Sequence, residues 1–163
     1  MGREFVDIFD GWADSYDASV SGKDPEYRDV FEGYETILSE VANRVSGTII
    51  EFGTGTGNLT AKLLEAGFSV IGIEPNTKML EVTAKRFPSI NLIDGDLLEF
   101  DVQNENIDAF VSTYVFHHLT DDEKGIALKK YANLLSKNGK VVFADTVFLT
   151  EEAKKAQIAK ERN

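Results

Sequence analysis

Along the chain, short β-rich runs of apolar residues alternate with segments in which apolar residues recur at helical intervals. The run from Ser69 to Ile73 is apolar on both faces, as expected for a strand buried in a parallel sheet. The segment 26–45 instead carries apolar residues at helical intervals, including Tyr34, Leu38 and Val41. The pattern predicts strands at 48–52, 69–73, 90–93, 107–112 and 140–144, and helices at 4–20, 26–45, 59–66, 76–86, 120–135 and 150–162.

Local signals mark the ends of several of these elements. Gly67 is expected just beyond the end of one helix, and Pro88 follows the end of the next. Thr120-Asp121-Asp122-Glu123 matches a capping box, so a helix should begin there, and Asn138-Gly139 is expected to close it. Helices that separate strands with two apolar faces predict an α/β fold, a Rossmann-like doubly wound, mainly parallel sheet of about five strands with helices on both faces.

Length and composition narrow the class of protein. The 163 residues fit one domain, 1–163, with a helical cap at 1–45 and an α/β core at 46–163. The absence of cysteine excludes disulfides, thiolate metal sites and a cysteine nucleophile. The chain has neither a stretch resembling a signal peptide nor an apolar run long enough for a membrane span, so a cytoplasmic location is expected, without membrane association.

The net charge bears on the substrate. The formal charge is −11, from 17 basic and 28 acidic side chains. A field of this sign repels a phosphate backbone, which attracts clustered lysine and arginine. A nucleic-acid partner is therefore disfavoured, and a small molecule is the expected substrate.

The most specific motif is Glu51-Phe52-Gly53-Thr54-Gly55-Thr56-Gly57-Asn58, between the first strand and a helix. Gly53, Gly55 and Gly57 allow a tight turn and close approach of the backbone to a ligand. A dinucleotide fingerprint would require glycine at position 58, which is Asn58. Glu51 is also poorly suited to a pyrophosphate. It suits a ligand with a cationic amino group, such as the methionine part of S-adenosylmethionine.

Two further acidic residues follow the second and third strands. Glu74, at the end of the second strand, can accept both hydroxyl groups of a ribose. Asp96, in the Asp94-Gly95-Asp96-Leu97 turn, could accept an adenine amino group while Leu97 packs on the ring. Together with the glycine motif, these residues predict a nucleoside site at the carboxyl ends of the strands.

No catalytic pair is evident. His117 and His118 are expected to point apart on an extended segment, so they make a poor chelating pair, and no metal site is predicted. A polar loop anchored by Leu119 is the favoured interpretation of this segment. His117 and Tyr16 are weak catalytic candidates, His117 as a general base or in the wall of the acceptor pocket.

These motifs resemble those of a known family. The glycine motif, Glu74, Gly95-Asp96-Leu97 and the segment 112–119 are similar to class I S-adenosylmethionine-dependent methyltransferases. The segment around Trp12 and Tyr16 is similar to their N-terminal cap. The resemblance is closest to uncharacterised bacterial YrrT-type methyltransferases and covers the chain essentially end to end. It implies cofactor contacts at Gly53, Glu74 and Asp96, and no particular acceptor.

The resemblance also implies that family members add an antiparallel strand pair after the fifth strand. Strand five, at 141–144, is therefore expected to have an uncovered edge. Either the sequence is a shortened form, or a partner, such as a second copy of the chain, covers that edge. Two alternative functions stay open: a non-catalytic S-adenosylmethionine-binding module or sensor, and an NAD-dependent oxidoreductase, which Glu51 and Asn58 disfavour.

Overall fold

The computed structural model describes residues 32–103 and 106–161. This part of the chain contains five strands and five helices, with one 3₁₀ turn at Phe116–His118, and a helix separates successive strands except between the third and the fourth. The strands are β1 (Thr48–Phe52), β2 (Ser69–Glu74), β3 (Asn91–Asp94), β4 (Ile107–Thr113) and β5 (Leu135–Ala144). The helices are α1 (Tyr34–Asn43), α2 (Asn58–Glu65), α3 (Thr77–Arg86), α4 (Asp121–Leu134) and α5 (Glu151–Glu161).

The five strands form one sheet in the order β3-β2-β1-β4-β5. Every neighbouring pair is parallel. The predicted Rossmann-like, doubly wound fold is thereby confirmed. The strand order reverses between β1 and β4, and in sheets of this type ligands bind outside the carboxyl ends of the strands at this switch point.

Side chains of successive strand residues point to opposite faces of the sheet, which produces two separate hydrophobic clusters. Ile49 packs on one face with Leu38 of α1 and Leu63 of α2. Ile50 packs on the other face with Tyr131 of α4. Helix side chains cover both faces of the sheet, so neither face of a strand requires polar residues. This accounts for the continuous apolar sequence of the strands.

An aromatic stack on the α4 face reaches toward the carboxyl end of the sheet. The rings of Phe52 and Phe110 are stacked at 5.6 Å, and those of Phe110 and Tyr131 at 4.7 Å. The buried hydroxyl of Tyr131 donates a hydrogen bond to the carbonyl oxygen of Leu97. This bond fixes the loop after β3 to α4, and that loop carries two of the predicted site residues.

The predicted ends of most elements are confirmed. Gly67 follows α2 in the left-handed conformation, with φ 84°. Thr120 and Glu123 form the predicted capping box at the start of α4. The predicted helix 26–45 is shorter at its start, because α1 begins at Tyr34 after a turn in which Gly33 has φ 71°. Positions 26–31 and the predicted helix 4–20 lie outside the described residues.

The predicted start of the fifth strand is wrong. Leu135 already has extended backbone angles (φ −67°, ψ 143°), so α4 ends at Leu134 and β5 begins at once. Asn138 and Gly139 therefore lie within the bounds of β5 and do not close the helix. The pairing with β4 shifts between Ile107 and Ala109, which accommodates the extra residues at this end of β5.

In the described part of the chain, β5 is an edge strand with β4 as its one neighbour. Exposed apolar side chains follow it at Val147, Phe148 and Leu149. The predicted uncovered edge is therefore present within these residues, whereas its covering by a second copy stays a prediction. None of the described helices is long and apolar enough to cross a membrane.

Candidate functional site

The glycine motif forms the loop between β1 and α2. Gly53, Gly55 and Gly57 have φ values of 67°, 54° and 89°, a region that residues with a Cβ rarely adopt. A Cβ atom at Gly53 would lie 2.6 Å from Cγ2 of Val115, and one at Gly57 would lie 2.7 Å from the ring of Phe87. Glycine is thus required both by the turn and by the close approach of neighbouring side chains.

Glu74 fixes this loop to the end of β2. Its Oε2 accepts a hydrogen bond from the backbone N–H of Gly55 at 3.0 Å, and its Oε1 accepts one from Asn76 at 2.9 Å. The carbonyl of Gly55 in turn accepts from Oγ1 of Thr83 at 2.8 Å. The carboxylate predicted to bind a ribose therefore also orders the glycine loop, a role that the sequence did not indicate.

Glu51 lies on the same face of the sheet as Glu74. The two are brought together because β1 and β2 pair with Glu51 opposite Gly72, and Glu74 is two residues further along β2. Glu51 is 1% exposed, and its Oε2 accepts from Oγ1 of Thr60 at 2.6 Å. Burial and, to a lesser degree, the charge of Glu74 raise the pKa of Glu51 to about 8, although the hydrogen bond from Thr60 acts to lower it. Burial also raises the pKa of Glu74.

Asp96 and Leu97 are both buried in the loop after β3. Oδ1 of Asp96 accepts hydrogen bonds from the backbone N–H groups of Leu98 and Glu99, at 2.8 and 2.9 Å. These bonds close a tight turn and hold the carboxylate in one orientation.

A cleft of about 330 Å³, part of which is open to solvent, lies at the carboxyl ends of the strands. Of the predicted cofactor-binding residues, Gly53, Asp96 and Leu97 line it. Glu51, Gly55, Gly57 and Glu74 belong to the adjoining loop and strand ends and are not among its lining residues. The cleft is lined by Phe52, Gly53, Pro75, Asp96, Leu97, Val115, His118 and Leu119.

The two histidines are arranged differently from the prediction. They lie in the 3₁₀ turn and not on an extended segment, and their ring centroids are 4.1 Å apart. Nδ1 of His117 is 2.6 Å from Oδ1 of Asp145, a carboxylate partner that the sequence did not reveal. Leu119 is buried and anchors the turn, as predicted. Tyr16 lies outside the described residues.

Metal binding finds no support in residues 32–103 and 106–161. There, no three histidine or acidic side chains are grouped in a way that could hold a metal ion. The site described by these residues is therefore one of glycines, carboxylates and apolar side chains, which suits an organic ligand.

The glycine loop provides a test of this geometry. Gly53→Ala is expected to lower the free energy of unfolding by about 1 to 3 kcal/mol, because alanine is strained at φ 67° and its Cβ would displace Val115. Gly125→Ala in α4 is the matched control, since its Cβ meets no described atom within 4 Å. It should raise stability by up to about 1 kcal/mol. Urea denaturation measures both, and equal effects would contradict the proposed strain.

Comparison with known proteins identifies the family. The family described as "Methyltransferase domain" matches residues 49–139, more than half of the chain. The chain belongs to this methyltransferase family. An uncharacterised methyltransferase of Anoxybacillus flavithermus is 55% identical over 159 residues, which cover 98% of this chain and 75% of that relative. The predicted family and enzyme class are confirmed, and with them the predicted cofactor at the level of the family.

Solved structures of similar proteins support the fold of this methyltransferase. DesVI of Streptomyces venezuelae is 26% identical, with a TM-score of 0.68 over 84% of this chain and 58% of that protein. An amino pentose methyltransferase of Micromonospora echinaspora, bound to S-adenosylmethionine, is 23% identical, with a TM-score of 0.66 over 82% of this chain and 57% of that protein. The methyltransferase described here thus spans somewhat more than half the length of these two proteins.

Proposed function

We propose that this methyltransferase binds S-adenosylmethionine at the carboxyl ends of β1, β2 and β3 and transfers its methyl group to a small molecule. One observation carries the proposal: two buried carboxylates, Glu51 and Glu74, flank a loop of left-handed glycines at the switch point of the sheet. This pair offers a pyrophosphate no cation, whereas a ribose can donate hydrogen bonds to Glu74 and a cationic amino group favours the ionised form of Glu51.

The residues present fit this cofactor. Gly53 and Val115 pack closely together in the wall of the cleft, which a Cβ at position 53 would disrupt. Thr54 is buried, and its Oγ1 has no hydrogen-bond partner among the described residues. Each oxygen of Glu74 accepts one backbone N–H and has a second lone pair for a ribose hydroxyl. We assign Glu51 to the amino group, Asp96 to the adenine amino group and Leu97 to the adenine ring.

When bound, S-adenosylmethionine supplies a methyl group that is already activated by its sulfonium. The protein is then required to hold the acceptor in line with that group and to exclude water. The apolar lining residues Phe52, Val115 and Leu119 serve the second requirement. A small acceptor is favoured over a nucleic acid because the chain carries a net charge of −11.

Parallel calorimetric titrations with S-adenosylmethionine, S-adenosylhomocysteine and NAD test the proposal. We expect binding of the first two and not of NAD. Turnover is then followed as release of S-adenosylhomocysteine in the presence of small thiols, phenols and amines. Binding of NAD alone would contradict the proposal and favour an oxidoreductase. Cofactor binding without turnover with any acceptor would instead favour a non-catalytic module.

A further inference from the structure

His117 and Asp145 form a pair at the carboxyl ends of β4 and β5. Asp145 accepts two hydrogen bonds from His117: its Oδ2 from the backbone N–H at 2.8 Å, and its Oδ1 from the ring nitrogen Nδ1 at 2.6 Å. A third bond, from the backbone N–H of Thr146, also reaches Oδ1, at 2.8 Å. Both oxygens of the carboxylate are thus engaged, and the imidazole is fixed in position and in ring orientation.

The protonation state of the pair follows from these bonds. Burial raises the pKa of Asp145, but the hydrogen bonds and the charge of His117 outweigh it, so the pKa lies below its ordinary value. An ionised carboxylate only accepts hydrogen bonds, so Nδ1 of His117 must carry the proton of the 2.6 Å bond. In the neutral imidazole, Nε2 is then the unprotonated nitrogen, which can accept a proton.

The pair is placed beside the candidate cofactor cleft. Tyr114, directly after β4, has φ 60° and begins the segment that contains His117. Val115, His118 and Leu119 of that segment line the cleft, and His117 lies between them in sequence. The side chain of His117 is 45% exposed while that of Asp145 is 12% exposed, so the imidazole can exchange protons with solvent and the carboxylate is shielded.

We propose that Asp145 is a positioning residue that holds His117 as the proton acceptor of the methyl transfer. This inference rests on the function proposed above. A lone pair of an acceptor atom X, in an N–H, O–H or S–H group, forms the bond to the methyl carbon. The carbon–sulfur bond breaks, its electron pair stays on sulfur, and the proton of X–H moves to Nε2 of His117 and then to water.

Among the described residues, two further titratable groups lie near the pair of His117 and Asp145: the adjacent ring of His118 and the phenol of Tyr114. Burial and then the nearby His117 lower the pKa of His118. Burial and then the charge of Asp145 raise the pKa of Tyr114. His118 and Tyr114 are therefore neutral near pH 7, and Asp145 supplies the negative charge beside the imidazole of His117.

Nitrogen NMR of the imidazoles tests the positioning role directly, since the chain contains only two histidines. Spectra of protein labelled with ¹⁵N-histidine are expected to show His117 as the Nδ1–H tautomer, and Asp145→Asn should shift it toward Nε2–H. His117→Gln assigns the signals, and Asp122→Asn, at an exposed position in the first turn of α4, is the control. An Nε2–H tautomer in the parent, or a tautomer unchanged by Asp145→Asn, overturns the proposal.

Turnover tests the proton transfer with the same variants. With a thiol, phenol or amine that the parent methylates, His117→Gln should lower kcat about 100-fold and Asp145→Asn at least 10-fold, while KM for S-adenosylmethionine changes less than twofold. The acidic limb of the kcat–pH profile should disappear in His117→Gln. An unchanged kcat overturns the inference, whereas a parent that binds no S-adenosylmethionine overturns the proposed function and leaves the NMR result to be judged by itself.

Discussion

Glu74→Ala is expected to weaken the binding of S-adenosylmethionine at least 100-fold. The proposed ribose contact uses both oxygens of one carboxylate, and hydrogen bonds to a charged group contribute roughly 1.5 to 3 kcal/mol each. Losing two of them corresponds to a factor of one hundred or more in the dissociation constant. Calorimetric titration of the parent and the variant with S-adenosylmethionine measures this factor.

The same substitution removes two bonds that order the protein without ligand, so a second variant is needed. In Glu74→Ala the N–H groups of Gly55 and Asn76 lose their acceptor, and a disordered glycine loop would also weaken binding. Glu74→Gln keeps the shape and one acceptor oxygen, but its NH₂ group faces one of the two N–H donors, so it should lose less stability than Glu74→Ala and still bind at least 10-fold more weakly. Asp94→Asn alters the residue paired with Glu74 on β3 and should bind normally. If Glu74→Ala binds like the parent, the ribose assignment is wrong.

The position of Glu51 and Glu74, the two carboxylates to which we assign cofactor contacts, was predictable from the pattern of strands in the sequence. Glu74 ends β2 and Glu51 lies one residue before the end of β1, and neighbouring parallel strands bring their carboxyl ends to one edge of the sheet. The alternation of side chains then places both on one face, as the register of Glu51 with Gly72 shows. The pattern of strands and the positions of their ends were enough to predict that these two carboxylates lie close together.

The pair of His117 and Asp145 was not predictable in the same way. The two residues are 28 positions apart, and they meet because β4 and β5 are neighbours in a register that pairs Thr113 with Ala144. That register depends on a shift in pairing near Ile107, which no local sequence signal marks. An acid directly after the fifth strand and a histidine after the fourth were visible, but their contact requires the strand order and the register together.

The contacts that hold the glycine loop from α3 were missed for a related reason. Thr83 donates to the carbonyl of Gly55, and Arg86 donates to that of Thr56 at 3.1 Å. Both side chains lie on a helix whose sequence shows only an ordinary amphipathic pattern. Which of its polar residues face a loop is decided by how the helix packs on β2 and β3, and this is a tertiary property.

Glu51→Gln is expected to stabilise the protein without ligand, and the gain should grow as the pH rises from about 5 to about 8. The pKa of Glu51 is raised from 4.5 to about 8 in the folded protein, chiefly by burial. Between these two values the folded state binds a proton that the unfolded state has lost, so stability falls as the pH rises through this window. Glutamine cannot ionise and escapes this penalty, while its carbonyl can still accept the bond from Thr60.

The difference in unfolding free energy between Glu51→Gln and the parent should therefore be small at pH 5 and grow to roughly 5 kcal/mol at pH 9. Urea denaturation at a series of pH values measures it, with Glu65→Gln at the exposed end of α2 as a control that should follow the parent at every pH. The same variant should bind S-adenosylmethionine more weakly, because a neutral amide replaces the carboxylate proposed for the cationic amino group. A stability difference independent of pH would mean that Glu51 is ionised in the free protein. The raised pKa that we attribute to its burial would then be wrong.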